Sequence, residues 1–245
     1  MNLYIVTGTT KGLGLALRTV LASVDSNRVI ALSRAPDQLA DAVNANIHAD
    51  FSDIASIETA FEKIALLLVD QHFEQAVLIN NAGVVLPVAA FDALDSVELA
   101  HNIAVNLAAP MIAMSRFATL TRACASRRLI INISSGAARH PVAGWSVYCA
   151  AKAGLEMATQ VAALEAGARD STLTICALAP GVVDTPMQSQ IRAASVARFP
   201  EVERFRDMKT NGVLRPADDV AHDIVQLIAS GKLTHGGSFD IRHFT

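Results

Sequence analysis

The chain has 245 residues, of which 52% are hydrophobic and 18% charged, and its net charge is −3. That much apolar material can fill one core on both faces of a sheet and argues against disorder, while the slightly acidic balance excludes broad attraction to nucleic acid or an anionic membrane. Three widely spaced cysteines, Cys124, Cys149 and Cys176, are an odd number without a metal-ligand pattern, so neither a disulfide framework nor a metal site is expected.

Taken in chain order, the apolar run 3–7 predicts a buried strand that begins at once, leaving no room for a secretory leader, and a cytoplasmic location is the expectation. A helix follows over 12–22, strands at 28–32 and 46–49, a helix at 54–68 and a strand at 76–79. A long helix is predicted over 96–122, then a strand at 129–133, a helix at 146–168 and a strand at 172–178. The segment 186–212 is polar, charged and weakly periodic, which suits either a lid over a substrate site or a solvated helix pair. A helix over 215–229 and a strand at 237–241 close the chain. Alternating strands and helices require parallel strands joined by right-handed crossovers. The fold class expected is therefore α/β, a doubly wound and mostly parallel sheet in a single domain. There is no repeat or linker that would divide the chain, and the apolar run 64–69 is too short to span a membrane.

Between the first strand and first helix lies Thr7-Gly8-Thr9-Thr10-Lys11-Gly12-Leu13-Gly14. In that position a glycine-rich turn is suited to a phosphate: Gly8 permits the tight turn, Gly12 the approach of a pyrophosphate and Gly14 close contact of helix and sheet. The second strand ends in Ser33 and Arg34. An acidic residue there would repel a ribose 2′-phosphate, whereas Arg34 can grip one in a fork, Ser33 can donate to it and Lys11 adds a second cation, so NADP(H) is expected over NAD.

Tyr148 and Lys152 stand four residues apart on a predicted helix and so share a face. An ammonium there favours the phenolate, and the expectation is a phenol pulled down from about 10 toward neutrality. Ser135, just beyond a predicted strand, can hold a carbonyl oxygen. Asp50, Asn80 and Asn81 lie at strand ends, where they serve equally as turn residues.

Together, the glycine loop, Asp50, Asn80-Asn81-Ala82-Gly83, Asn106, Ser135, Tyr148-x-x-x-Lys152 and Pro180-Gly181 leading to Thr185 resemble the classical short-chain dehydrogenase/reductase family over nearly the whole chain. The resemblance implies a Rossmann-type domain in which Tyr148 donates a proton and Lys152 lowers its pKa while binding the nicotinamide ribose. It also implies that Ser135 polarises the carbonyl and that Asn106 holds a water linking Lys152 to solvent. By the same resemblance Asp50 and Phe51 flank the adenine, Asn81, Ala82 and Gly83 line the adenosine and ribose path, and Val183, Thr185 and Met187 lie at the nicotinamide end.

Wording around the site, Gly144-Trp145-Ser146-Val147-Tyr148-Cys149 and Pro180-Gly181-Val182-Val183-Asp184-Thr185, is similar to the branch of sepiapterin reductases and (S)-benzoin-forming benzil reductases. That branch implies a vicinal diketone or α-hydroxyketone beside a flat ring, met by Ser135, Trp145 and Gly181, with Met187 near the mouth. Asp240 corresponds to an acid that anchors a pterin in that branch, and it reads equally as a charge ending a surface strand. Pro186 departs from the branch's common Asp-Thr-Asp. Two other readings stand beside this one: a broader ketoreductase, for instance of acyl thioesters, and a non-catalytic dinucleotide sensor on the same fold. The family resemblance further implies a homodimer, or a homotetramer, paired through the two long helices.

Overall fold

The computed structural model describes residues 1–35 and 44–244. Strands β1 (Asn2–Thr7), β2 (Asn27–Ser33), β3 (Ala45–His48), β4 (Phe73–Asn80), β5 (Ala125–Ile133) and β6 (Leu173–Ala179) belong to one sheet; β7 (Val183–Asp184) and β8 (Arg215–Pro216) pair with each other, and β9 (Ser238–Asp240) completes the main sheet. Its order is β3-β2-β1-β4-β5-β6-β9, parallel throughout. The order reverses direction beside β1, which puts a crevice at the carboxyl ends of β1 and β4.

Helices cover both faces because successive strand residues point opposite ways. Leu3 and Ile5 of β1 pack with Ile57, Phe61 and Ile64 of α2 (Ile54–Leu67) and with later helices on one side. Tyr4 and Val6 pack with Leu13, Leu17 and Leu21 of α1 (Gly12–Ala22) on the other, together with Val220, Ile224 and Leu227 of the last helix. The long central helical stretch runs through α3 (Ser96–Ile103), a π-helical turn over Ala104–Ala108 and α4 (Ala109–Leu120). Then come α5 (Ser146–Gly167), α6 (Pro186–Arg192), α7 (Val202–Thr210) and α8 (Ala217–Ser230).

Three differences from the sequence reading have physical causes. Several strands start earlier than their apolar runs, since Glu74, Gln75, Arg127 and Arg128 are polar yet lie in β4 and β5. The predicted helix over 96–122 contains the π turn, in which Ala109 N–H bonds to Ala104 O. By length and composition that stretch, Ser96–Leu120, is also apolar enough to cross a membrane, although Val105, Ala109, Ala113, Met114 and Phe117 are packed in the core. Arg215 and Pro216 are strand rather than helix, because a residue before proline is driven to extended backbone, and Arg215 N–H bonds to Val182 O.

Two buried polar groups cross-link the layers. Asn80 donates to Asn132 Oδ1 at 2.8 Å, and Asn132 donates to Thr159 Oγ1 at 2.8 Å, joining β4, β5 and α5 through the core. Arg128, with its side chain 1% exposed, is ion-paired with Asp170 and donates to Thr172 Oγ1 and Ala118 O, tying β5 to the loops at the foot of the sheet. Its guanidinium and the Thr172 hydroxyl hold the Asp170 carboxyl down at about 2 rather than 3.8.

A carboxyl depressed in the folded state contributes stability above its unfolded pKa and loses it as pH falls through the folded value. Urea midpoints should therefore fall in part between pH 4 and pH 2 through this residue. Asp170→Ala should cost about 3 kcal/mol at neutral pH, because it leaves a buried guanidinium without its partner. A variant with the wild-type midpoint at pH 7 would remove the pair from the stability account.

Candidate active site

The turn after β1 folds onto the end of β4. Thr7 Oγ1 accepts from the backbone N–H groups of Asn81 and Ala82, each at 2.9 Å, and Asn81 Nδ2 donates to Thr7 O at 3.0 Å and Gly8 O at 3.3 Å. Two glycines make this closure possible. Gly8 has φ +73°, and a β-carbon there would stand 2.7 Å from Ala82 Cα. One on Gly14 would overlap Gly8 O and Asn81 Nδ2. Gly12 faces Thr185, whose Cγ2 would lie 3.1 Å from a β-carbon at 12, so the loop also meets the start of α6.

The residues present suit a phosphate. Helix α1 starts after Lys11 with no side-chain cap and no acid in its first turn, which leaves its first N–H groups and the positive end of the helix for an anion. The buried Thr9 hydroxyl has no partner among the described residues, Thr10 is exposed, and Leu13 is packed in the core below. Lys11 and Arg34 are both exposed. Arg34 lies close enough to Asp50 to draw its carboxyl down, after the larger effect of the Ser52 backbone and hydroxyl donors. Phe51 is buried against α2 and the sheet. Ser33 is directed elsewhere in this conformation: its hydroxyl donates to Ala35 O at 2.9 Å, closing the turn that presents Arg34.

At the far end of the crevice α5 begins after Trp145 and sets Tyr148 and Lys152 on its inward face, 7% and 5% exposed. Lys152 donates to Ile133 O at 2.8 Å and lies 6.0 Å from the Tyr148 ring centroid. Burial lowers its pKa to about 8. The expected fall of the Tyr148 pKa toward neutrality is corrected here: burial pushes the phenol up, and the hydrogen bond with Ser135 opposes it. The ammonium lies beneath the ring and is bound to a backbone carbonyl, so desolvation dominates the phenol. A raised phenol stays protonated at neutral pH, so a proton is present at this position to be given. Ser135 Oγ also accepts from Ala137 N at 3.2 Å, which holds the hydroxyl at the start of a 3₁₀ turn, Gly136–Ala138.

The side chain of Asn106 is engaged inside the protein. Its side chain is occupied by the backbone of Val84, accepting from the N–H at 3.1 Å and donating to the carbonyl at 2.7 Å, with a further bond to Asn102 Oδ1 at 2.7 Å. The side chain is thus a clamp, and contact with a water would fall to the backbone of the π turn. Gly83 fits between Asn106 and Lys152: a β-carbon there would stand 3.0 Å from Asn106 Oδ1. Asn102 was missed, although its place four residues before Asn106 puts both on one helix face.

The segment 186–212 turns two faces to two environments. Its charges pair at the surface, Arg204 with Glu201, Arg206 with Glu203 and Lys209 with Asp184. Its apolar residues Ile191, Phe199, Val202 and Phe205 close over Trp145 and Tyr148, with Met187 packed at the margin. Phe199 stacks on Trp145 at 5.0 Å and 14°, Phe205 tilts against it at 5.3 Å, and Trp145 meets Tyr148 edge-on at 5.5 Å. Phe199 and Phe205 are the aromatic residues that sequence reading missed. Val183 is buried in β7 beside this segment, and Thr185 precedes α6. Gly181 packs against Arg242, and Arg242 forks onto Asp240, donating to Oδ1 at 2.8 Å and Oδ2 at 2.6 Å. Asp240 is therefore near Gly181, but its carboxylate is engaged by a neighbour in its own chain.

Comparison with known proteins agrees with this geometry. A family model described as short chain dehydrogenase matches residues 2–195. A benzil reductase ((S)-benzoin forming) of Bacillus cereus is 37% identical over 243 residues, covering 96% of this chain and 97% of that protein. Sepiapterin reductase of Bos taurus is 28% identical over 256 residues, covering 98% and 94%. The crystal structure of the KRED1-Pglu enzyme superposes with a TM-score of 0.84 at 25% identity, covering 97% of this chain and all of that one. The chain belongs to the short-chain dehydrogenase family, oxidoreductases that act on CH–OH and C=O groups with a nicotinamide dinucleotide.

Proposed function

We propose that this protein reduces a vicinal diketone or α-hydroxyketone with NADPH, Tyr148 giving the proton to the nascent alkoxide. The observation that carries this reading is the convergence of Ser135, at the start of its 3₁₀ turn, with Tyr148 and Lys152, both buried on the inward face of α5 beneath an aromatic cluster. Nicotinamide, when bound, supplies the hydride. Ser135 and Tyr148 hold the substrate oxygen from two sides, so negative charge developing there meets two donors in a dry site. Lys152 keeps positive charge beneath the phenol and binds the nicotinamide ribose.

Several features support the finer assignments. Trp145, Phe199, Phe205 and Met187 pack into an apolar aromatic cluster beside Tyr148, the kind of surrounding that suits a flat ring, and Trp145 Nε1 and Gln188 Oε1 are buried without a partner among the described residues. The relative from Bacillus cereus is named for benzil reduction. Lys11 and Arg34, exposed just before α1 and just after β2, suit the 2′-phosphate of NADPH, with Asp50 and Phe51 at the adenine, Asn81, Ala82 and Gly83 along the ribose path, and Val183 and Thr185 at the carboxamide. A homodimer through the long helices is supported by the exposed apolar residues Val97, Met111, Met157, Val161 and Leu164. The free cysteines Cys124, Cys149 and Cys176 accord with a reducing compartment such as the cytoplasm.

Three experiments test this reading. Tyr148→Phe should lower kcat for benzil by about a thousandfold while NADPH affinity, read by fluorescence titration, changes little; near-native turnover would discard the mechanism. Arg34→Ala should weaken NADPH by about tenfold or more and leave NADH unaffected, and equal losses would remove Arg34 from the phosphate site. Because the Lys152 ammonium is lost as pH rises through about 8, kcat should be level near neutrality and fall above that value. Lys152→Arg should postpone the fall to higher pH, and an unchanged profile would dissociate it from Lys152.

A further inference from the structure

We propose that Glu156 is a positioning residue that clamps the turn carrying Ser135 onto the face of α5 carrying Tyr148 and Lys152, and so sets the contact between Ser135 and Tyr148. The inference rests on the roles given to Ser135 and Tyr148 above.

Tyr148, Lys152 and Glu156 follow one another at intervals of four on α5, so they form a single stripe on its inward face. Glu156 is 8% exposed. Its Oε1 accepts from Ser134 Oγ at 2.6 Å, and Arg139 forks onto it, Nε to Oε2 and NH2 to Oε1, each at 3.1 Å. Ser134 and Arg139 bracket the turn that holds Ser135 and the 3₁₀ residues Gly136–Ala138. One carboxylate thus grips both ends of the Ser135 turn, and Arg139 passes the constraint on by bonding to Ser238 Oγ of β9.

The chemistry is specific to a carboxylate. Glutamate can accept a hydroxyl proton and a guanidinium fork together, and charge-assisted bonds of this kind are shorter and stronger than neutral ones. A buried carboxylate is costly unless fully paired, so the clamp holds only while both partners stay in place. Lys152, one helical turn away, donates to Ile133 O, which leaves Glu156 to the turn. The consequence is a rigid spacing between a hydroxyl on the β5–α5 connection and a phenol on the helix, two elements that otherwise meet across a loop.

The test is a double-mutant cycle on NADPH-driven benzil reduction. Glu156→Gln keeps the shape and removes the charge. It should lower kcat by about tenfold where Ser135 is present and by less than about twofold in a Ser135→Ala background, with KM for NADPH nearly constant. Equal losses in both backgrounds, or no loss, would overturn the proposal, since a general loss of structure is blind to Ser135. Hydrogen exchange of the peptide spanning 134–139 reads the clamp without turnover and should quicken in Glu156→Gln while α5 stays protected; unchanged exchange also overturns it. If the wild-type protein reduces no carbonyl substrate, the proposed function fails and the exchange experiment alone decides the clamp. Should Glu156→Gln not fold, Arg139→Met opens the clamp from its more exposed end and enters the same cycle with the same expected direction.

Discussion

A lysine buried beneath a tyrosine is the constraint around which the site is arranged. Removing the Lys152 ammonium from water is costly, and the protein tolerates it by offering the Ile133 carbonyl at the end of β5. That bond fixes α5 against the carboxyl edge of the sheet, where the strand order reverses and a crevice must open. Burial has opposite effects on the two groups it encloses. It weakens the hold of Lys152 on its proton and strengthens that of Tyr148, so at neutral pH both remain protonated, one charged and one neutral.

The other elements close the chamber around this pair. Asn106 uses both ends of its amide on the Val84 backbone and also donates to Asn102, and the π turn that displays it interrupts an otherwise ordinary helix at that point. Thr7 and Asn81 join the glycine turn to the end of β4, which sets the distance between the proposed phosphate end and the proposed chemical end. In the segment 186–212, Phe199 and Phe205 bring an apolar cover to Trp145 and Tyr148, while its charged residues pair with one another outside. One amphipathic segment therefore both excludes water and stays soluble on its outer face.

Much of this was legible from local pattern. The alternating runs imply a doubly wound sheet because strands buried on both faces must be apolar, and the four-residue interval between Tyr148 and Lys152 implies a shared helix face. Glu156 was equally available to the same rule, but nothing local says that Ser134 and Arg139 would come to meet it from across a loop. Phe199 and Phe205 lay among arginines and glutamates that masked their periodicity. Arg215 looked helical until Pro216 is given its effect on the preceding backbone. Asp240 was read either as a ligand-anchoring acid or as a charge ending a surface strand, and its neighbour two residues on, Arg242, occupies its carboxylate.

The sequence by itself determined the architecture, the family and the chemical types at the site, since these follow from periodicity, glycine placement and side chains a fixed number of residues apart on one helix. Tertiary structure decided everything that depends on groups distant in the chain. It set the direction of the Tyr148 pKa, because burial is a property of the whole chamber and not of the helix. It turned the Asn106 side chain into a backbone clamp, made the segment 186–212 aromatic on its inner face and joined both ends of the Ser135 turn to Glu156. The physical reason is the same in each case: local spacing fixes which way a side chain can point, whereas desolvation and hydrogen-bond partners exist only once the layers have packed.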